Sequence, residues 1–354
     1  MKILYGVQGT GNGHISRARI MANRFNELGI DVDYLFSGRA ADKFFDMQPF
    51  GDYQVRKGMS FSSKDGDVAI LSTLKKIEFG TFWRDVKSLD LSQYDVVLND
   101  FEPVTAWAAK RQNVPSINIS HQAAFLQNIP MEGASWADKK ILKYFAPCSV
   151  DLGVHWYHFG ANIIPPFIEE PNELQINDTK ILVYLPFESL EHIKTLLADF
   201  CDFEFYCYHP DIPEDKDEEH IKLRKLSRTG FKTDLSTCKG IIANAGFELS
   251  SEALCYGKRI LLKPLNGQFE QASNAKTLEI LGLASVMETL NFDEVEHWLE
   301  QTHGGRVVFP NDPQPLIDWI LAGDYNNSAP LLEKLWSQVH FPEHVEDKLN
   351  RNVA

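Results

Sequence analysis

Short apolar runs alternate with segments of helical spacing along almost the whole chain. In the first half, the runs that resemble strands cover residues 2–8, 31–36, 95–98 and 116–120. The spacing between them predicts helices over residues 15–28, 68–89 and 103–112. Because apolar strands separated by helices are typical of a parallel sheet covered on both faces, the pattern predicts an α/β fold.

This alternation is interrupted once and then starts again. Residues 165–172 are rich in proline and resemble a linker, and residues 180–184 (Lys-Ile-Leu-Val-Tyr) then echo residues 2–5 (Lys-Ile-Leu-Tyr). We therefore predict two Rossmann-like domains whose parallel sheets face each other across a cleft. The predicted segments are a first domain at 1–165, a linker at 166–178, a second domain at 179–325 and a C-terminal helical segment at 326–354 with its helix at 330–341.

Composition places the chain among soluble globular proteins. Its 354 residues are long for one core, and 44% are hydrophobic while 24% are charged. The chain opens directly on a predicted strand, which is not typical of a secretory signal, and no run approaches the roughly 20 apolar residues of a membrane span. The five cysteines form no CxxC pair, which favours reduced thiols. We therefore expect a cytoplasmic protein.

The charge is distributed unevenly between the two halves. Residues 1–165 carry 18 Lys/Arg and 17 Asp/Glu, for a net charge of +1, whereas the remainder carries 17 and 32, for −15. An acidic protein repels a phosphate backbone, so we expect no nucleic-acid partner. The near-neutral first half leaves peripheral contact with a membrane surface or an anionic glycan open.

Polar residues follow the predicted strands, and these positions are the candidates for a site. Rossmann-like sheets bind ligands at the carboxyl ends of their strands, so we expect such residues to line the cleft. In the first half they are residues 8–14, 37–39, 99–100 and 121, and in the second half they are residues 244–246 and 264–271.

The loop after the first strand carries alternating glycines and ends in a histidine. It comprises Gly9, Gly11, Asn12, Gly13 and His14, which we assign to the acceptor side of the cleft. Glycines allow a tight turn and close approach of a ligand. The same spacing serves dinucleotides, but that interpretation calls for an acidic residue after the second strand, where residues 37–39 read Ser-Gly-Arg.

His14 is the main catalytic candidate, because histidine titrates near neutral pH and could accept a proton from a hydroxyl. The alternatives are that it caps the loop or binds a phosphate. Asp100 could orient His14, or it could cap the helix that begins near Pro103, and Glu102 is a second candidate there. His121 follows a strand and is expected to face the cleft.

Residues 240–275 predict a nucleotide-sugar pocket. A strand at 240–243 is followed by a small-residue turn at Gly246 and a helix from Phe247, whose backbone N–H groups form an anion site. Glu252, one turn into the helix, can accept hydrogen bonds from a ribose diol. Side-chain amides such as Gln268 and Gln271 donate and accept at once, which suits sugar hydroxyls.

This block resembles the donor-binding signature of the GT-B glycosyltransferases, among them MurG, the UDP-glycosyltransferases and related microbial glycosyltransferase-like proteins. The matching residues are Gly246, Ser251, Glu252, Ala253, Gly257, Pro264, Gln271, Asn274 and Ala275. The resemblance implies a GT-B fold and donor contacts at Gly246, Phe247, Glu248, Ser251, Glu252, Gln268, Gln271 and Asn274. It further implies a base pocket near Phe231 and Lys232. Glu248 lies in the first turn of the helix and would repel a diphosphate, so we expect it to meet the sugar or solvent.

The resulting interpretation is a metal-independent glycosyltransferase without a bound cofactor. It would move a hexosyl or N-acetylhexosaminyl group from a nucleoside diphosphate donor, UDP above all, to an unidentified hydroxyl. The acceptor would be a glycan, such as one of the cell envelope, a lipid-linked molecule or a small molecule. A UDP-N-acetylglucosamine 2-epimerase-like enzyme and a non-catalytic nucleotide-sugar-binding protein are the alternatives.

Overall fold

A computed structural model describes residues 1–59, 63–64, 67–68, 79–171, 175–301 and 305–351, and most of them belong to two sheet-centred domains. The strands of the first half are β1 (Ile3–Gln8), β2 (Val32–Ser37), β3 (Tyr53–Arg56), β4 (Ser63–Lys64), β5 (Asp67–Val68), β6 (Val96–Asp100), β7 (Ser116–Ser120), β8 (Val150–Val154) and β9 (Ile163–Ile164). Its helices are α1 (Asn12–Leu28), α2 (Phe79–Ser88), α3 (Pro103–Gln112), α4 (His121–Ala124) and α5 (Trp136–Phe145), with 3-10 turns at Ala41–Lys43 and Gln48–Phe50.

The first sheet is parallel throughout, in the order β3-β2-β1-β6-β7-β8-β9, while β4 and β5 pair only with each other. Every residue of β1 and β6 is buried, because helices cover both faces of these central strands. β1 pairs directly with β6, so the loops that follow these two strands emerge side by side.

The second domain repeats this plan. Its strands are β10 (Asn177–Tyr184), β11 (Glu204–Tyr208), β12 (Lys216–Glu218), β13 (Ile221–Arg224), β14 (Cys238–Ala243), β15 (Arg259–Leu262) and β16 (Ser285–Val286). Its helices are α6 (Leu190–Leu197), α7 (Arg228–Thr237), α8 (Phe247–Cys255), α9 (Phe269–Leu281), α10 (Phe292–Glu300) and α11 (Gln314–Ala322). The sheet order is β12-β13-β11-β10-β14-β15-β16, parallel except at the edge strand β12.

The chain ends with α12 (Ala329–Trp336) and α13 (Glu343–Arg351), which contact different domains. The indole N–H of Trp336 donates to the carbonyl oxygen of Ile163 in the first domain at 2.7 Å. His344, on α13, instead lies 3.1 Å from the carbonyl oxygen of Gly282 at the end of α9. The C-terminal segment therefore ties the two domains together.

The α/β class predicted from the alternating pattern is confirmed, and the differences concern element bounds. The helix predicted over 68–89 is α2 only from residue 79; Val68 belongs to β5, and the intervening residues lie outside the described part of the chain. β10 begins inside the predicted linker, and the helix predicted to reach residue 341 ends at Trp336. Within the described ranges, no helix is both long and apolar enough to cross a membrane.

Candidate functional site

A histidine and an aspartate from neighbouring strand ends form the centre of the site. His14 lies in the first turn of α1, directly after the loop that follows β1, and Asp100 is the last residue of β6. Nδ1 of His14 lies 2.7 Å from Oδ1 of Asp100. Since a carboxylate oxygen can only accept, Nδ1–H is the donor, and Nε2 is left as the acceptor nitrogen of the ring.

Arg17, one turn further along α1, holds the same carboxylate. Its Nε donates to Oδ2 of Asp100 at 2.8 Å, and its Nη2 donates to Oδ1 at 2.9 Å. Asp100 is fully buried, and burial by itself raises the pKa of a carboxyl group. The charges of Arg17 and His14 oppose burial and lower the pKa of Asp100 below its ordinary value, so the side chain stays ionised.

Arg17 also contacts the second domain, through its remaining guanidinium nitrogen Nη1. Its Nη1 donates to Oε1 of Glu248 in the first turn of α8, at 2.5 Å. Burial raises the pKa of Glu248, and the Arg17 charge opposes that increase. Glu248 was expected to meet the sugar or solvent, whereas the structure pairs it with a buried guanidinium. One arginine therefore joins the His14–Asp100 pair to the second domain.

Gly13 allows this contact because it has no side chain. A Cβ at position 13 would lie 2.5 Å from Cγ of Glu248, closer than Cβ atoms approach other atoms. Gly9 is restricted in the same way by Phe44 and by the backbone of Ser37. Gly11 differs, since a Cβ there would meet only the His14 ring at an ordinary 3.7 Å. Two of the three loop glycines thus serve protein packing.

The loop is held by an arginine where a dinucleotide-binding protein would place an acidic residue. Nη1 of Arg39 donates to Oδ1 of Asn12 at 3.0 Å, and Nη2 donates to the carbonyl oxygen of Thr10 at 3.2 Å. The exposed side chain of Asn12 is therefore engaged with Arg39.

Glu102, rather than Asp100, caps the helix that follows β6. Its two carboxylate oxygens accept from the backbone N–H groups of Val104 and Thr105, at 2.8 and 2.6 Å. Phe101, between the two acidic residues, has a φ of 53°, in the left-handed region that costs a non-glycine residue energy. This conformation lets Asp100 face His14 while Glu102 faces back into α3, so the capping alternative for Asp100 is wrong.

A cleft of about 360 Å³ opens beside His14. Both domains line it, and its wall mixes apolar side chains with amides and carboxylates. The first domain contributes Gln8, Thr10, Gly11, His14, Phe101, Gln122, Asp138, Ile141 and Leu142, and the second contributes Phe187, Leu265, Gly267, Gln268, Phe269, Glu270 and Gln271.

Three of the predicted donor positions lie at helix N-termini or in the wall of the cleft. Gln268 is the N-cap residue of α9 and lines the cleft, as does Gln271, whose Oε1 accepts from the backbone N–H of Leu265 at 3.0 Å. Gly246 is the N-cap residue of α8; no side chain caps that helix, and a Cβ on Gly246 would have open space around it. The N-terminus of α8 is therefore unobstructed at this position.

Ser251 and Asn274, by contrast, are fully buried against the first domain. Oγ of Ser251 accepts from the indole N–H of Trp156 at 2.8 Å and donates to the carbonyl oxygen of Phe247 at 2.7 Å. The amide N–H of Asn274 donates to the carbonyl oxygen of Ala245 at 3.0 Å. These side chains were expected to contact the donor, but they join the two domains instead.

His121 belongs to this buried contact and not to the cleft. One ring nitrogen lies 3.0 Å from the carbonyl oxygen of Val154, and the other lies 2.8 Å from Oδ1 of Asn274. Its ring stacks on Phe247 with 3.9 Å between centroids. Burial lowers the pKa of His121, although the two oxygens beside its ring nitrogens oppose this change, and burial also lowers the pKa of the neighbouring His155. A buried aromatic cluster therefore fills the interface.

Glu252, Phe231 and Lys232 do not line the cleft. Burial, and next the charge of Glu248, raise the pKa of Glu252 to about 7. Lys232 opposes this increase while its Nζ donates to Glu169 at 3.1 Å. The Phe231 ring packs on Tyr184 with 5.2 Å between centroids.

Sequence reasoning missed seven residues of the site: Arg17, Phe101, Gln122, Asp138, Ile141, Leu142 and Phe187. Arg17 had a signal, since it lies three residues after His14 on a predicted helix and therefore on the same face. Phe187 follows β10, where strand-end residues line the cleft. In the described parts of the chain, no cluster of three or more His, Cys, Asp or Glu side chains is arranged to hold a metal ion.

A family model described as glycosyl transferase family 1 matches residues 1–302. The chain belongs to this family. The predicted resemblance to GT-B glycosyltransferases is confirmed at the level of the fold. No curated protein matches the chain.

Solved glycosyltransferases share the two-domain architecture of this family 1 member. The glycosyltransferase of kitacinnamycin is similar over 95% of each chain, with a TM-score of 0.62 and 14% identity. SnogD from Streptomyces nogalater matches 85% of this chain and 91% of its own at a TM-score of 0.57 and 14% identity. Phytolacca americana UGT2, complexed with UDP-2fluoro-glucose and pterostilbene, matches 84% of this chain and 89% of its own, with a TM-score of 0.58 and 13% identity.

Replacing Gly13 with alanine should separate α1 from α8. The added methyl group must displace Glu248 and leave Arg17 with an unpaired N–H, so we expect Gly13→Ala to lower the free energy of unfolding by about 1–3 kcal/mol. Gly11→Ala is the matched control, because its methyl group has room. Urea unfolding followed by fluorescence measures both variants, and equal stability of the two would contradict this account of Gly13.

Proposed function

We propose that this family 1 member transfers a sugar from a UDP-type nucleoside diphosphate donor to an acceptor hydroxyl without a metal ion. The observation that carries the proposal is the His14–Asp100 pair, which lies beside a two-domain cleft and opposite the N-termini of α8 and α9.

In the proposed reaction His14 acts as general base. Asp100 accepts from Nδ1–H and so fixes the tautomer whose Nε2 can take a proton. As the acceptor oxygen bonds to the anomeric carbon, its proton moves to Nε2. The bond from that carbon to the diphosphate breaks, and its electron pair leaves with the diphosphate oxygen. Ionised Asp100 then stabilises the imidazolium.

Donor binding is assigned to the second domain. The uncapped N-terminus of α8 at Gly246 supplies backbone N–H groups that can meet a diphosphate, and this supports transfer without a metal ion. Gln268 and Gln271 would recognise sugar hydroxyls from α9, and Glu252 would hold the ribose. The choice of UDP is supported by similar structures that were solved in complex with UDP or UDP-2fluoro-glucose.

The acceptor is assigned to the first-domain side of the cleft. Phe101, Ile141 and Leu142 form an apolar wall there, and Phe187 faces it from the second domain. Such a wall favours an acceptor with an apolar part beside its hydroxyl, whether a small molecule or a lipid-linked glycan. A glycan of the cell envelope stays a prediction.

Incubation with a panel of UDP-sugars and acceptors, read by mass spectrometry, tests the proposal. Appearance of a glycosylated acceptor together with UDP supports transfer. Isomerisation of the sugar without an acceptor would favour the epimerase alternative, and tight UDP-sugar binding without any turnover would favour a binding protein.

His14→Ala should abolish most turnover. Loss of the base is expected to lower kcat by roughly 10²–10⁴ and to leave the Kd of the donor nearly intact, because the predicted donor contacts lie in the other domain. His192→Ala, at an exposed histidine of α6, is the matched control. If kcat stayed within a few-fold of wild type, His14 would not be the base.

Glu252→Gln should weaken UDP binding in a pH-dependent way. Because the pKa of Glu252 is raised to about 7, the carboxylate that accepts from the ribose exists mainly above that pH. Calorimetry should show a loss of roughly 1.5–3 kcal/mol at pH 8 that shrinks at pH 6, where the protonated side chain resembles glutamine. Glu279→Gln, an exposed carboxylate on α9, should bind UDP like wild type. A loss that is equal at both pH values would contradict the ribose contact.

Chelation should not affect turnover. Because helix N–H groups meet the diphosphate charge in the proposed mechanism, the rate in EDTA is expected to equal the untreated rate. A rate lost in EDTA and restored by Mg²⁺ or Mn²⁺ would show that a metal ion takes this role.

A further inference from the structure

The charges around His14 come from both domains, and their sum depends on whether the second domain is in place. Asp100 is anionic, Arg17 is cationic, and Glu248 is an ion-pair partner of Arg17 at 2.5 Å. With a neutral imidazole these groups carry one net negative charge. Without Glu248 they would be neutral, because Arg17 alone balances Asp100.

We propose that Glu248 is a positioning residue which the second domain brings to the catalytic pair, and that its charge strengthens His14 as a base only when the domains are closed. This rests on the proposed function of the same site. Proton uptake by His14 brings the closed cluster from one net negative charge to neutrality. In an open form the same uptake would bring a neutral cluster to a net positive charge.

The geometry carries this inference because Arg17 contacts both carboxylates at once. Its Nε and Nη2 hold Asp100, while its Nη1 holds Glu248. Nη2 also lies 3.4 Å from Nδ1 of His14, so the guanidinium charge is adjacent to the imidazole that must accept a proton. Glu248 offsets part of that positive charge. The Arg17 side chain is only 8% exposed, and water therefore screens these interactions weakly.

Other titratable groups near the pair do not supply the same effect. Tyr5 on β1 stays neutral, because burial and the neighbouring Asp100 raise its pKa. Glu252 lies one turn further along α8, outside the cleft lining. Glu270 and Asp138 line the same cleft, where Glu270 accepts from the Gln122 amide at 3.2 Å and Asp138 accepts from the Ser135 hydroxyl at 2.6 Å. Among the described residues, neither carboxylate forms an ion pair with Arg17 or His14. Glu248 is therefore the carboxylate of the second domain that an ion pair connects to the catalytic centre.

The chemical consequence is that deprotonation of the acceptor is linked to domain closure. With α8 in place over the donor, the proton of the acceptor hydroxyl passes to Nε2 as the new C–O bond forms and the diphosphate leaves. With α8 away, only Asp100 offsets the arginine charge next to His14, and the imidazole is a weaker base. Premature activation of water or acceptor is thereby disfavoured.

Glu248→Gln tests the proposal, because glutamine keeps the shape and an oxygen acceptor for Arg17 while removing the charge. The midpoint of proton uptake by His14, followed by NMR of its ring protons, should move to lower pH by about one unit. The acidic limb of the kcat/KM profile should move in the same direction. Glu27→Gln removes a carboxylate from an exposed pair with Arg24 on α1 and should leave both unchanged.

Gly13→Ala provides a second route to the same result, since it displaces Glu248 without altering any charge, and it covers the case in which Glu248→Gln fails to fold. A midpoint that does not move in a folded Glu248→Gln or Gly13→Ala protein would overturn the inference. The NMR measurement needs no turnover, so absence of glycosyl transfer by wild type would refute the proposed function and still leave the charge coupling decided by the midpoint.

Discussion

One buried guanidinium constrains how the two domains meet. An arginine that leaves water needs anionic partners, because removing a charge from solvent costs several kcal/mol unless other charges replace the water. Arg17 finds one partner at the end of β6 and the other at the start of α8. Burial alone would lower the pKa of Arg17, but the charges of Asp100 and Glu248 raise it above its ordinary value. The guanidinium therefore stays charged. The geometry of the His14–Asp100 pair and the arrangement of the domains therefore depend on the same side chain.

The contacts of Arg17 with its two carboxylates explain two unusual positions nearby, Gly13 and Phe101. α1 must approach α8 closely enough for Arg17 to reach Glu248, and at that distance position 13 tolerates only hydrogen. The left-handed Phe101 has a similar origin, since Asp100 must face His14 while Glu102 caps α3. Part of what looks like a ligand-binding loop in the sequence, above all Gly13, is therefore needed so that two carboxylates can contact Arg17.

Local pattern was sufficient for the fold class and for the position of His14 and Asp100, because strand ends in parallel sheets meet at one edge. Local pattern could not separate donor contacts from interdomain contacts. Ser251 and Asn274 belong to the family motif, yet Trp156 and His121 cover them from the other domain. Nothing within ten residues of either position indicates that partner. The pairing of Glu248 with Arg17 was not predicted for the same reason, because its partner lies 231 residues away.

The interface between the domains has two chemically different parts, and they respond differently to separation. The cluster of His121, Trp156 and Phe247 is aromatic and buried, so separating it would expose apolar surface and leave the Asn274 amide oxygen without its partner. The Arg17–Glu248 pair lies beside the cleft, where water can replace each partner on opening. Opening to admit a substrate should therefore start at the ion pair, with the aromatic cluster as the fixed side. Such motion would begin at the ion pair that sets the charge beside His14, so a single carboxylate on α8 would link domain closure to the proposed base.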